Sequence, residues 1–122
     1  MQFREYQEAA LKTAIYPGQG DNIGFLYVAL GVAGEAGEIA NKVKKLLRDG
    51  VTLEAQDAIR AEIGDVLWYL AALSTELGTA LEDIAEENLD KLNRRMDSGT
   101  LRGSGDERGL PTEPSEPQTV ER

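Results

Sequence analysis

Histidine and cysteine are both absent from the 122 residues. Without cysteine no disulfide framework can form, and nothing points to an oxidising compartment. Without either residue, a zinc site or a Glu-x-x-His di-iron site of the helix-bundle type has no nitrogen or sulfur ligands. Any metal must therefore be held by oxygen alone, which favours Mg²⁺, with Mn²⁺ as the second choice. Positive charge is scarce too: 13 Lys and Arg stand against 22 Asp and Glu, a net charge of −9. A nucleic-acid partner is not expected, because binding a phosphate backbone needs a basic face. The excess acid is not confined to the C-terminal stretch, since −7 remains on residues 1–97. Small anions stay available as ligands if a bound metal reverses the sign locally. No apolar run approaches a membrane span, and Met1-Gln2-Phe3-Arg4-Glu5 lacks the basic and apolar regions of a signal peptide. The expectation is a cytoplasmic protein with no membrane partner.

Strand signals are missing as well. No segment alternates with period two, so the fold class expected is all-α, without a sheet. Phe3 to about Ile15 reads as a first helix, ended by Tyr16-Pro17-Gly18-Gln19-Gly20. Asp21 or Asn22 caps a long second helix reaching about Arg48, and Asp49-Gly50 stops it, with Gly50 in the left-handed role. Thr52 caps a third helix running to about Leu77; Gly78 ends it, and Thr79 caps a fourth reaching about Asp97. The architecture expected is an antiparallel bundle of about four helices, completed by oligomerisation. Residues 1–109 form the one domain, and 110–122, rich in proline and acid, read as a disordered tail.

The informative stretch runs from Gly34 to Asp65. Gly34-Glu35-Ala36-Gly37-Glu38 opens it and Glu62-Ile63-Gly64-Asp65 closes it, each placing two carboxylates three residues apart on one helix face. On the third helix, Ala55, Ile59, Val66, Leu70, Leu73 and Leu77 make an apolar stripe, and Glu62 falls inside it. Asp65 and Tyr69 line its edge. On the second helix, Glu35 lies beside Val28, Ile39 and Leu46, while Glu38 is further round with Lys42 and Lys45. Burying unpaired carboxylates is costly, and several together cannot all stay ionised without compensation. A divalent cation held by Glu35, Glu38, Glu62 and Asp65 supplies that compensation. The competing explanation is an ion-paired core, in which Glu35 or Glu62 meets a lysine or arginine across the bundle.

Two further features stand out. Asn88 sits within the apolar face of the fourth helix, formed by Leu81, Ile84, Ala85, Leu89, Leu92 and Met96. Lys91 and Arg95 follow on a neighbouring line, where cations beside a magnesium site suit a polyphosphate. The alternative for these three is a bonded core asparagine with surface cations. The third helix is also apolar away from its stripe, at Ala61, Gly64, Trp68, Ala71 and Ala72. A helix apolar on two faces is buried on two faces, which implies a second subunit. Trp68 is expected at that interface ahead of a stacking role on a nucleobase, whereas Tyr69, one turn after Asp65, is the better ligand contact.

Gly34-Glu35-Ala36-Gly37-Glu38 followed by Glu62-Ile63-Gly64-Asp65-Val66-Leu67-Trp68-Tyr69-Leu70 closely resembles the MazG-like, all-α nucleoside triphosphate pyrophosphohydrolases. The similarity extends through Glu5-Tyr6-Gln7, Tyr16-Pro17-Gly18, residues 42–50, Asn88-Leu89-Asp90-Lys91-Leu92 and Gly99 to Asp106. The resemblance implies a homodimer or homotetramer with sites built from more than one subunit. It also implies Mg²⁺-dependent hydrolysis of a (deoxy)nucleoside triphosphate to the monophosphate and pyrophosphate. The family's metal ligands match Glu35, Glu38, Glu62 and Asp65, and its phosphate contacts match Lys91 and Arg94 or Arg95. Lys42, Tyr69 and Asn88 complete the expected substrate-binding set. Many members carry two adjacent glutamates where this chain has Gly34-Glu35, which bears on the number of metals. Gly103-Ser104-Gly105-Asp106 is a candidate to close over the site. Two alternatives accompany this reading. One is a narrower dCTP/dUTP-type or phosphoribosyl-ATP pyrophosphohydrolase, the other a non-catalytic helical assembly protein.

Overall fold

The computed structural model describes residues 1–101, so the tail from 110 and the Gly103–Asp106 segment lie outside the described residues. Four helices follow in order: α1 (Phe3–Leu11), α2 (Asn22–Asp49), α3 (Leu53–Glu76) and α4 (Leu81–Asp97). No strand occurs among the described residues, and the fold is an all-α bundle. Two compact units divide the chain, one covering Met1–Ala85 and the other beginning at Glu86.

Local signals account for most helix ends. The Asp21 carboxylate accepts from the N–H groups of Ile23 and Gly24, and the Thr52 hydroxyl accepts from that of Ala55. Helix α1 is four residues shorter than its pattern suggests: the Thr13 hydroxyl donates to the Ala10 carbonyl at the helix end, and Ala14 packs on the core from outside the helix. Gly50 closes α2 at φ 100°, ψ 163°, outside the left-handed helical region expected for it but still in territory that favours glycine. At the start of α4 a tertiary contact replaces the expected Thr79 cap. The side-chain oxygen of buried Gln7 accepts from Leu81 N–H at 2.8 Å, while its amide donates to Thr79 O and Thr75 Oγ1. A polar side chain buried this deeply is tolerated because both of its ends are bonded.

Helices α2 and α3 form an antiparallel pair, read from the contacts themselves. Val28 packs with Ala72, Gly31 meets Tyr69, Glu35 bonds Glu62, and Lys45 and Leu46 share a cavity wall with Thr52 and Ala55. Numbers rise along α2 as they fall along α3, so the two carboxylate pairs face each other half-way along both helices. Helix α1 and its following loop cover the other end of α3. Trp68 Nε1 donates to Thr13 Oγ1, Tyr16 OH donates to Glu76, and Glu76 also accepts from Gly20 N–H.

The burial pattern departs from expectation in three ways. On α3 the deeply buried residues are Ala71, Ala72 and Ser74, whereas Leu70 and Leu77 of the expected stripe are exposed. Trp68 is half-buried inside the chain, edge-on to Tyr16 and Tyr69, rather than left free for an interface. Helix α2 is also long and apolar enough to cross a membrane by length and composition, contrary to the sequence reading. Much of its apolar surface is outward-facing, and among the described residues the buried apolar core is Ala10, Tyr16, Val28, Ala71 and Ala72.

Candidate active site

Three of the four expected acids converge. Glu35 from α2 and Glu62 and Asp65 from α3 bring carboxylate oxygens within 4.8 Å of one another. The antiparallel register achieves this, because Glu35 falls on the line of α2 that also carries Val28 and Gly31 toward α3. Glu38 is rotated off that line and exposed, outside the converging group, although its charge still reaches Glu35 and Lys42.

The electrostatics of the group are unequal. Burial, more than any neighbour, pushes the Glu35 carboxyl above its ordinary value; a hydrogen bond to Glu62 and the charges of Asp65, Glu62 and Glu38 add to the shift. Glu62 is pushed the other way, chiefly by the Lys42 ammonium that ion-pairs with it and secondarily by the bond from Glu35. Lys42 is raised in turn, first by its bond to Glu62. So the competing ion-pair explanation holds for Glu62, whereas the ion pairs among the described residues include none to Glu35 or Asp65. The ammonium of Lys42 meets a group of three converging carboxylates, and an all-oxygen donor set from two facing helices fits a hard ion such as Mg²⁺ or Mn²⁺.

A pH prediction follows with a definite sign. Because the Glu35 pKa is raised in the folded state, ionising it costs stability as pH climbs from 4.5 through the raised value. In EDTA, Glu35→Gln is expected to be more thermostable than wild type at pH 8. The difference should vanish toward pH 4, as read by circular dichroism melts at both pH values.

Aromatic side chains wall one side of the acids. The Tyr69 phenol is pushed up first by burial and then by Tyr27, with the Glu35 and Asp65 charges contributing, so it lies within electrostatic reach of the group. Tyr16 stacks on Tyr27 at 5.8 Å between ring centroids. Together with Trp68, Tyr69, Pro17 and Thr13 these rings line a cavity of about 260 Å³. Gly31 makes the approach of Tyr69 possible, since a Cβ there would stand 2.2 Å from the ring. Gly31→Ala is therefore expected to displace Tyr69 and destabilise the fold by about 1–3 kcal/mol, measurable by urea denaturation. Tyr6, within the Glu5-Tyr6-Gln7 stretch of the family resemblance, has its hydroxyl raised first by burial and then by the Asp65 charge. The pairing of Lys42 with Glu62 was only one of several options before the register was known.

Asn88, Lys91 and Arg95 lie on α4 beyond Ala85, in the second unit. Asn88 is exposed rather than buried, as are Leu89 and Met96 beside it; Lys91 and Arg95 are half-buried.

The family described as "MazG nucleotide pyrophosphohydrolase domain" matches residues 25–100, which contain all of the converging acids. The chain belongs to the MazG family. This MazG-family chain is also 53% identical over 109 residues to the "Gene 37 protein" of Mycobacterium phage L5, covering 84% of this chain and 96% of the phage protein. No solved structure matches. Family membership supports a nucleotide pyrophosphohydrolase.

Proposed function

We propose that this MazG-family protein hydrolyses a (deoxy)nucleoside triphosphate to the monophosphate and pyrophosphate with the help of a divalent cation, preferably Mg²⁺. The observation that carries the reading is the convergence of Glu35, Glu62 and Asp65 with too little positive charge to balance them. These three carboxylates would hold the ion. When bound, the cation would neutralise phosphate oxygens and make an attacking water more acidic. Glu38, exposed beside them, is suited to accept a hydrogen bond from that water and orient it toward phosphorus, most simply the α-phosphorus. Tyr69 and the aromatic cavity behind it offer a flat apolar surface to the base, with the phenol as a polar handle. Lys91 and Arg95 are retained as phosphate contacts on the family resemblance alone, and the cytoplasmic nucleotide pool is the proposed setting.

The test is pyrophosphate release from each of the eight common nucleoside triphosphates, with Mg²⁺ and with EDTA. Mg²⁺-dependent release from at least one of them is expected. A preference for dCTP or dUTP would select the narrower activity. No release from any of the eight, nor from phosphoribosyl-ATP, would leave the non-catalytic assembly protein as the reading.

We also propose that the chain acts as a homodimer or homotetramer. Ile23, Leu26 and Leu30 line one outward face of α2, exposed by 63%, 58% and 73%. The face continues through Ala33, Gly34 and Gly37, and added Cβ atoms at both glycines would meet nothing within 4 Å. Large apolar residues running into a smooth, small-residue segment suit close approach by another helix, and a second copy is the occupant that requires no further component.

A further inference from the structure

The ammonium of Lys42 lies against the converging acids. It lies one helical turn beyond Glu38, ion-pairs with Glu62, and feels the charges of Glu38 and Glu35. On α3 it faces Glu62. On its own helix the nearby charges are Glu35, Glu38, Lys45 and Asp49. The same side chain also lines a cavity of about 350 Å³ with Lys45, Leu46, Asp49, Thr52 and Ala55. A lysine stem has four rotatable carbons and a compact point charge, so its head can leave one carboxylate without moving the helix. The cavity gives it room, and the Asp49 carboxylate on the wall offers a second anionic partner, although Arg48 already bonds it.

We propose that Lys42 is a tethered counter-cation that competes with the divalent ion for Glu62, holding the acids together when no metal is bound and withdrawing into the neighbouring cavity when metal arrives. The inference rests on the metal-binding reading above. Glu62 cannot give its oxygens fully to a dication while the ammonium remains against it, because the two positive charges would repel at contact distance. Lys42 is thus a positioning residue, setting how tightly metal is held.

The probe is Mn²⁺, titrated by calorimetry into wild type, Lys42→Met and Lys42→Arg, with thermal midpoints in EDTA alongside. Lys42→Met is expected to bind Mn²⁺ on the order of tenfold more tightly, the scale of removing one unit charge near a solvent-accessible site. Its midpoint in EDTA should fall below that of wild type. Lys42→Arg keeps the charge and should bind no more tightly than wild type. In the unmodified protein, acetylation of the Lys42 amine, followed by mass spectrometry, should accelerate when Mg²⁺ is added. Equal or weaker Mn²⁺ binding by Lys42→Met overturns the proposal, as does an acetylation rate that Mg²⁺ leaves unchanged. Should Lys42→Met fail to fold, the acetylation arm decides the matter. Absence of any Mn²⁺ binding by wild type overturns the metal reading along with this one, whereas normal wild-type binding with an inert Lys42 overturns this one alone.

Discussion

Asp65→Asn is expected to lower Mg²⁺-dependent pyrophosphate release by about two to three orders of magnitude, the usual scale for deleting one electrostatic contact made to the reacting group. It should do so while leaving the fold intact. Asp65 is exposed, and no hydrogen bond or ion pair of its side chain is needed to hold α3 in place. The amide is nearly isosteric but has lost the charge, so the converging group keeps its shape and forfeits a third of its negative charge. Glu62→Gln is a less clean probe, because it also deprives Lys42 of its ion-pair partner. The two measurements that check the expectation are initial rates of pyrophosphate release and the thermal midpoint with and without Mg²⁺. Wild type should gain stability from Mg²⁺ by mass action. Asp65→Asn should gain much less while melting near the wild-type temperature in EDTA. Equal Mg²⁺ responses in the two proteins would remove Asp65 from the metal site.

The second large effect concerns the outer face of α2. Leu30→Glu places a carboxylate in the middle of the exposed apolar line formed by Ile23, Leu26 and Leu30. On a free surface such a change is nearly neutral, usually within about 0.5 kcal/mol. Buried between two copies it leaves an unpaired charge against apolar side chains in each, at a cost of several kcal/mol per contact. The expected result is dissociation of the wild-type oligomer into monomers at micromolar concentration, followed by light scattering coupled to size exclusion. Because few apolar residues among the described ones are deeply buried within one chain, the monomer should also melt far below the oligomer. A monomeric wild type, or a Leu30→Glu variant of unchanged mass, overturns the interface. Partition of wild type into lipid vesicles would instead assign α2 to a membrane surface, in line with its length and composition.

The legibility of the site differed from residue to residue. Glu62 could be picked out because a carboxylate interrupting a helical apolar stripe has no inexpensive solvent-facing explanation. Glu35 and Asp65 followed from their spacing to residues on the same face. Glu38, with the same spacing, lies outside the converging group. Residues three apart on a helix diverge by about 60°, so spacing alone does not bring both members of a pair to one point; Glu62 and Asp65 meet there, whereas Glu35 and Glu38 do not. Trp68 shows the opposite limit. Its sequence context allowed an interface, a base contact or packing, and the choice fell to the loop after α1, whose Thr13 hydroxyl accepts the indole N–H at 2.8 Å. Gln7, which holds the start of α4, had no local signature at all, because its partners are 68 to 74 residues away.

From its residues alone this chain was committed to helices and to helix ends at Asp21, Thr52, Gly50 and Gly78, and the lack of histidine and cysteine ruled out imidazole and thiolate as metal ligands. These are properties of composition and of neighbours a few positions apart, and local physics is enough to impose them. The pairing of Glu35 with Glu62, the charge balance struck by Lys42, the contact of Tyr69 with Gly31 and the outward turn of Leu30 were decided only when α2 lay antiparallel on α3. A helix apolar on more than one side can satisfy its pattern in several registers, and the carboxylates converge only in the one that the packing of Val28 on Ala72 selects.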